Sequence, residues 1–461
     1  MSDEDHGQTE YGWRSSRILI ISTACLALFT ETLLYGFVVP ILPYMLEVRL
    51  HIDPSQTQSI TSALLSVHGF ATLILTPLIA AAADKTPNRK IPLIISLVVC
   101  LGGTVLVAFT PTLWAIYLGR ILQGVSGSAA WIICLAMLTD NAGPGRVGRV
   151  MGLSMSVVMT GTVAGPTVAG ALLEWMGYWP AWSVPIGIIL INIAGRLITE
   201  EPQKPPPSPP RTEEDVENAE TSPLLSGSDS ECSAETFSQD KDTCLPAPSS
   251  FYWVMLRDCR VLASISTTTV NSIIIAGFNA TLPVHLRAIF NWGSFTVGMM
   301  FLLIRIPTIV FGPFMGMLRD HVGLRYPTAL GWLLLTPLIF CLGIPSGPEH
   351  HGKEFFVTCI ACIGLGSTLI QGAGVLHTIT ILRDVELKQP QIFGRQGGLS
   401  RVFAINEVSF NAGLMFGPLL AGGLTEAIGY SYMNIILAVI CFANAVFVFY
   451  FFEKGISQSE K

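Results

Sequence analysis

Gly165-Pro166-Thr167-Val168-Ala169-Gly170-Ala171-Leu172 returns 252 positions later as Gly417-Pro418-Leu419-Leu420-Ala421-Gly422-Gly423-Leu424. The match runs on: Glu174, Gly177 and Tyr178 reappear as Glu426, Gly429 and Tyr430. Both copies lie in long apolar runs. A Gly-Pro helix element at matching places of two hydrophobic halves marks a duplicated membrane protein. Internal repeats of this kind are a sequence mark of many secondary transporters.

Composition agrees. The 461 residues are 51% hydrophobic and only 13% charged, and the mean hydropathy is +0.56. Soluble domains carry about 25% charged residues. The net charge of −6 gathers in a polar middle segment and says little about a ligand. No basic, aromatic-interleaved face exists for nucleic acid. The ten cysteines are scattered. Cys359 and Cys362 form a C-x-x-C inside an apolar helix without a second pair, which reads as packing rather than a metal or redox site. No metal, cofactor or catalytic activity is expected. The first 17 residues are polar and mixed in charge, unlike a cleavable signal.

A membrane span needs about 20 mostly apolar residues. Twelve stretches qualify, at 18–45, 58–82, 91–109, 112–138, 147–173, 179–198, 261–287, 295–318, 327–345, 355–382, 399–424 and 430–452. The expected fold is an all-α integral membrane protein, with twelve transmembrane helices in two pseudo-symmetric six-helix halves, 18–198 and 259–452. Residues 1–17 and 453–461 read as tails. Residues 199–258 open Pro-rich, continue in Ser, Glu and Asp, and read as a disordered linker. Basic residues sit in alternate short loops: Lys85, Arg89 and Lys90; Arg146 and Arg149; Arg319 and Arg325; Arg383, Lys388 and Arg395. The positive-inside rule makes that face cytoplasmic, with both termini and the linker on it.

A second element repeats. Asp84-Lys85-Thr86-Pro87-Asn88-Arg89-Lys90 follows the second span, and Gly316-Met317-Leu318-Arg319-Asp320-His321-Val322-Gly323-Leu324-Arg325 ends the eighth. Each pairs an acid at a helix end with cations beyond it. Such a turn either latches one state of a rocking transporter or simply carries positive-inside charge.

These motifs together resemble the major facilitator superfamily, in its twelve-helix drug:proton antiporter group. The second turn follows the family's G-x-L-x-D-x-x-G-x-R loop; the first departs from it at Ala80 and Pro87 and keeps Asp84. Arg120-Ile121-Leu122-Gln123-Gly124 resembles the fourth-helix R-x-x-Q-G motif. Gly161-Thr162-Val163-Ala164-Gly165-Pro166 resembles the fifth-helix antiporter motif. A closer likeness is to vesicular amine transporters and fungal multidrug or secondary-metabolite efflux pumps. Glu31 precedes Val38-Val39-Pro40-Ile41-Leu42-Pro43, and Phe403-Ala404-Ile405-Asn406-Glu407-Val408 resembles their helix 11, with Glu for Asp. His68 stands where the amine transporters carry Lys. Their helix-10 acid has no counterpart near Gln371, which counts against simple amine recognition.

Ionisable groups inside the bilayer are functional candidates, because each costs about 2.5–3.5 kcal/mol on insertion scales. Glu31 shares a helix face with Tyr35. A carboxyl whose cationic partner moves between two states can load a proton on one side and release it on the other. His68, with an ordinary pKa of about 6.5, suits the partner role. The other reading of Glu31 is a neutral carboxyl tying two helices together. Glu407 shares a face with Asn411, and is either a second proton site or a solvated group near a helix end. Arg120 is always charged; the resemblance implies a part in coupling, and a structural ion pair is the alternative. Arg305 matches no motif and is free to hold a substrate carboxylate or an internal acid. Tyr35, Trp131, Asn271, Asn279, Arg305 and Gln371 are substrate-pocket candidates, with Asn192 beside them. Gly165, Pro166, Gly417 and Pro418 kink and pack their helices; with Asp84, Arg89, Asp320 and Arg325 they form the expected gating set.

Two further motifs carry no function here, and a third bears on the destination. Gly347-Pro348-Glu349-His350-His351-Gly352-Lys353 lacks the strand and the Ser or Thr of a phosphate-binding loop. The sequon at Asn279 falls inside a span. Glu220-Thr221-Ser222-Pro223-Leu224-Leu225 resembles an acidic dileucine signal, which keeps vacuolar or endosomal membranes beside the plasma membrane as destinations. The expected function is proton-coupled efflux of small organic molecules (drugs, amphiphilic cations or secondary metabolites) by a monomer in the lipid bilayer. The alternative is a proton-independent facilitator or an importer.

Overall fold

The structure is a computed structural model, and it describes residues 16–83, 89–142, 147–199, 248–344, 350–388 and 399–452. Six helices form the first half: α1 (Arg17–Tyr44), α2 (Pro54–Ala83), α3 (Lys90–Phe109), α4 (Leu113–Asn141), α5 (Val147–Met176) and α6 (Tyr178–Ile198). The short α7 (Pro248–Arg257) lies within the stretch read as linker. The second half holds α8 (Cys259–Phe290), α9 (Ser294–Val322), α10 (Arg325–Leu342), α11 (His350–Thr368), α12 (Ala373–Lys388), α13 (Leu399–Ile428) and α14 (Tyr430–Phe451). Among the described residues, twelve spans are long and apolar enough to cross a membrane, with α11 and α12 together forming the tenth.

That tenth span departs from the sequence expectation, which ran one helix through it. The chain breaks at Leu369–Gly372, where Gly372 takes a left-handed φ of 74°. A break frees backbone carbonyls, which in lipid must find donors. Arg319, at the end of α9, supplies them. Its Nη1 donates to Gln371 O at 2.8 Å, and its Nη2 to Leu369 O at 2.9 Å and Thr368 O at 3.3 Å. Arg319 therefore works inside the fold, not as a loop charge.

The repeat is visible in the packing. In the first half α5 lies on α1: a Cβ on Gly165 would stand 2.5 Å from Leu33 O, and one on Gly161 would strike Thr32. In the second half α13 lies on α8 in the same way, with Gly417 against Ile273 O and Gly413 against Ser272. The small residues let paired backbones approach, as the Gly-Pro repeat implied. Gly177 and Gly429, 252 residues apart, both turn the chain at positive φ, 88° and 93°. The next residue of each, Tyr178 or Tyr430, is buried against the first helix of its own half. Tyr178 donates to Ala108 O at 2.8 Å and touches Met45 Sδ at 3.4 Å. Tyr430 stacks on His285 with ring centroids 3.5 Å apart.

The halves meet through α2 against α13 and α5 against α9. We call the face where α1 begins and α14 ends the termini face. Among the described residues, one ion pair and three hydrogen bonds fasten the halves on the opposite face or just below it. Glu47, one turn beyond α1, pairs with Arg287 at 3.0 Å. The Glu174 carboxylate accepts the Phe295 N–H at 2.9 Å, capping the start of α9. Gln58 Nε2 donates to Ala280 O at 3.1 Å, and Thr167 Oγ1 to Gly298 O at 3.4 Å. Trp175 and Phe295 rings pack with centroids 4.8 Å apart. The molecule is thus fastened shut at one face.

Candidate functional site

Between the halves lies a cavity of about 310 Å³, within the range of small-molecule sites. Tyr35, Trp131, Asn271, Asn279, Arg305 and Gln371 all line it, drawn from α1, α4, α8, α9 and the break in the tenth span. Glu31, His68 and Glu407 line it too. Arg120 does not; it lies one layer behind, fully buried. Asn192 is also elsewhere: its Nδ2 donates to Thr30 Oγ1 at 3.1 Å and ties α6 to α1.

The first-half cluster is built on one face of α4. Arg120, Gln123, Gly124 and Gly127 follow at three- and four-residue steps. Arg120 Nη1 donates to Gln123 Oε1 at 2.9 Å, and Gln123 Nε2 donates to Thr104 Oγ1 at 3.1 Å. Arg120 Nε and Nη2 have no protein partner. The two glycines make room for the ionisable pair: a Cβ on Gly124 would stand 2.8 Å from His68 O and 3.5 Å from His68 Nδ1, and one on Gly127 would strike the Glu31 carboxylate. Gly127 escaped the sequence reading, although its spacing from Arg120 and Gln123 was there to be read.

Tyr35 joins the group. Its ring lies 5.2 Å from that of His68, and the Arg120 guanidinium carbon is 6.0 Å from its centroid. Glu31 and Arg120 are electrostatic neighbours without a direct ion pair among the described residues. His68 Nδ1 has no hydrogen-bond partner. The arrangement is a half-buried acid lining the cavity, a cation that cannot lose its charge and an imidazole, the last two beside one phenol. Such a group can exchange a proton with whatever enters the cavity.

The second half contributes differently. Glu407 lines the cavity from α13 and accepts from Asn411 Nδ2 at 3.1 Å. Asn406 beside it accepts from Thr268 Oγ1 at 3.0 Å, fixing α13 on α8. Arg305 has no hydrogen bond or ion pair among the described residues, and its electrostatic neighbour is Tyr35.

Of the gating set, Asp84 lies outside the described residues, and so does the side chain of Asp320. Arg89 pairs with Asp140 at 2.9 Å, joining the starts of α3 and the end of α4. Arg325 lies 4.6 Å from the Phe449 ring centroid. Gly36 and Gly165 bring α1 and α5 together at Pro166, which also lines the cavity.

The Major Facilitator Superfamily model matches residues 24–381. The chain belongs to that superfamily. An uncharacterized MFS-type transporter, C18.02, of Schizosaccharomyces pombe is 29% identical, over 94% of this chain and 95% of that one. The MFS-type transporter ppzB of Metarhizium rileyi is 25% identical over 97% of both chains. The vesicular acetylcholine transporter of Drosophila melanogaster is 23% identical, over 94% of this chain and 71% of its own length. The crystal structure of the nucleoside transporter NupG superposes with a TM-score of 0.66 at 14% identity, covering 94% of this chain and 99% of that one. It speaks for the superfamily fold. The chain is therefore a multi-pass membrane transporter of small solutes.

Proposed function

We propose that this superfamily member is a proton-coupled antiporter that exports small organic molecules by alternating access. The observation that carries the reading is Glu31, seated in the cavity between the halves with Arg120 as its electrostatic neighbour. Glu407 is the second proton site, and His68 and Arg120 tune the first.

The basic loops make the termini face cytoplasmic. Fastening at the opposite face then leaves the cavity to load from the cytoplasm, as an exporter requires. Substrate enters as the carboxyls give up protons. The halves rock about the cavity, with α1–α5 and α8–α13 moving as packed pairs on their Gly-Pro elements. Protons arriving from the far side reload the carboxyls and displace the substrate. Asp84 with Arg89, and Asp320 with Arg325, latch the cytoplasmic turns in the other state. The plasma membrane is the proposed site of action.

The test is proton flux in proteoliposomes of the full chain, with small organic acids and amines added in turn, comparing wild type with Glu31→Gln. Substrate-evoked proton movement that the variant loses supports antiport. Substrate movement without protons, unchanged in the variant, leaves a facilitator and overturns the proposal.

A further inference from the structure

The charge of the cargo can be read from the cavity, if the cavity is the substrate site proposed above. Three of its lining residues carry or can carry full charge beside His68: Glu31, Glu407 and Arg305. The two acids have company. Glu31 has Arg120 as its electrostatic neighbour, and Glu407 holds the Asn411 amide at 3.1 Å. Arg305 has neither a hydrogen bond nor an ion pair among the described residues. Its neighbour Tyr35 is a neutral phenol. The remaining polar groups nearby, Asn271, Asn279 and Gln371, are neutral amides.

A guanidinium carries five N–H donors in a rigid fork and cannot shed its charge. In a membrane interior an unpartnered one is costly. Solvent in an open cavity satisfies it in part, but the cavity must close for transport. A group that travels with the substrate and fills the fork removes that cost in every state that holds cargo. A carboxylate does so with two parallel charge-assisted bonds. An ammonium would be repelled by Arg305 and would find Glu31 already neighboured by Arg120, which leaves Glu407, held only by the neutral Asn411 amide, as the one carboxylate lining the cavity that is open to it. Trp131, Phe278 and Phe301 give the rest of the ligand an apolar wall. We infer that the central cavity takes small amphipathic organic acids or zwitterions, with the carboxylate seated on Arg305, in preference to simple amines.

The experiment is equilibrium binding to the full chain in nanodiscs, without a proton gradient. The probes share an indole ring: indole-3-butyric acid, its methyl ester and tryptamine. The acid is expected to bind at least ten-fold more tightly than either of the others. Arg305→Gln should erase that preference, weakening acid binding at least ten-fold more than ester binding. Arg305→Lys, which keeps charge and loses the fork, should retain part of it. Elution volume and unfolding temperature report whether each variant folds, and the acid-to-ester ratio of wild type stands whether or not they do. Tryptamine or the ester binding as tightly as the acid overturns the inference. So does an acid that fails to bind at millimolar concentration, or a preference that survives Arg305→Gln. Acid binding without proton flux would sink antiport and keep this inference; proton flux with amines alone would do the reverse.

Discussion

The Glu47–Arg287 pair is the only ion pair between the halves among the described residues, and breaking it should shift the balance between the two access states. The side chains are 19% and 38% exposed. Exposed pairs contribute about 0.2–1 kcal/mol, and the half-buried setting of Glu47 puts this one near the top, at about 1 kcal/mol. That is a change of roughly five-fold in the ratio of the two states. The shift stays partial, because the Glu174 cap and the Gln58 bond on the same side remain. Spin labels on Ser55 and Glu354, exposed positions near the starts of α2 and α11, would report it as a longer distance gaining population. Glu47→Gln and Arg287→Gln should each produce the gain, more at low ionic strength than at high. The double swap Glu47→Arg with Arg287→Glu should restore the original distribution. If both single variants leave the distances unchanged in low salt, the pair does not hold the gate and the reasoning fails.

Three further outcomes follow from the geometry. Gly127→Ala puts a methyl where the Glu31 carboxylate sits, so substrate-evoked proton flux in proteoliposomes should fall at least ten-fold while the protein still elutes as folded; unchanged flux would detach Gly127 from the proton site. Arg319→Gln strips charged donors from three carbonyls at the helix break, which should cost about 1.5–3 kcal/mol and show as a lower unfolding temperature in nanodiscs. Asp258 caps α8 through the Arg260 N–H at 2.9 Å. Partial burial opposes ionisation of its carboxyl, but the Arg260 bonds outweigh it and hold the pKa below 3.8. The stabilisation is therefore full above that ordinary value and is lost as pH falls through the lower folded one. Asp258→Ala should cost about 1 kcal/mol at neutral pH, and its unfolding curve should converge on wild type only in strong acid.

Much of the fold was legible because lipid leaves its mark on composition. A span must be apolar along its length, so twelve runs announced twelve helix passages, and the duplicated Gly-Pro element announced close helix packing in each half, though not that α5 meets α1 and α13 meets α8. Tyr35, Trp131, Asn271, Asn279, Arg305 and Gln371 stood out as polar or aromatic groups amid apolar ones, and they line one cavity. The break at Leu369–Gly372 was not legible. Its residues are as apolar as their neighbours, and hydropathy records what a residue is, not the φ it adopts. The helix α7 was hidden by the polar stretch before it, although the Phe251–Leu256 run of large apolar residues was a signal. Arg319 read as a loop cation because its acceptors lie about fifty residues away and exist only once the helix breaks. Asn192 read as a pocket residue because sequence alone cannot say which face of α6 meets Thr30.

The meeting of Glu47 with Arg287 has a consequence for the history of the duplication. Leu42-Pro43 and Leu46, at the end of the first helix of one half, return 240 positions later as Leu282-Pro283 and Leu286, and that register makes Glu47 the counterpart of Arg287. Equivalent positions that touch lie on the two-fold axis relating the halves. In an assembly of two identical copies such a site always faces itself, acid to acid or base to base, and can never hold an ion pair. The attraction that closes this face therefore requires the two copies to have become different. Fusing them in one chain is what allows the lock to exist, and a symmetric dimer of either half alone would have like charges pressed together at the same spot.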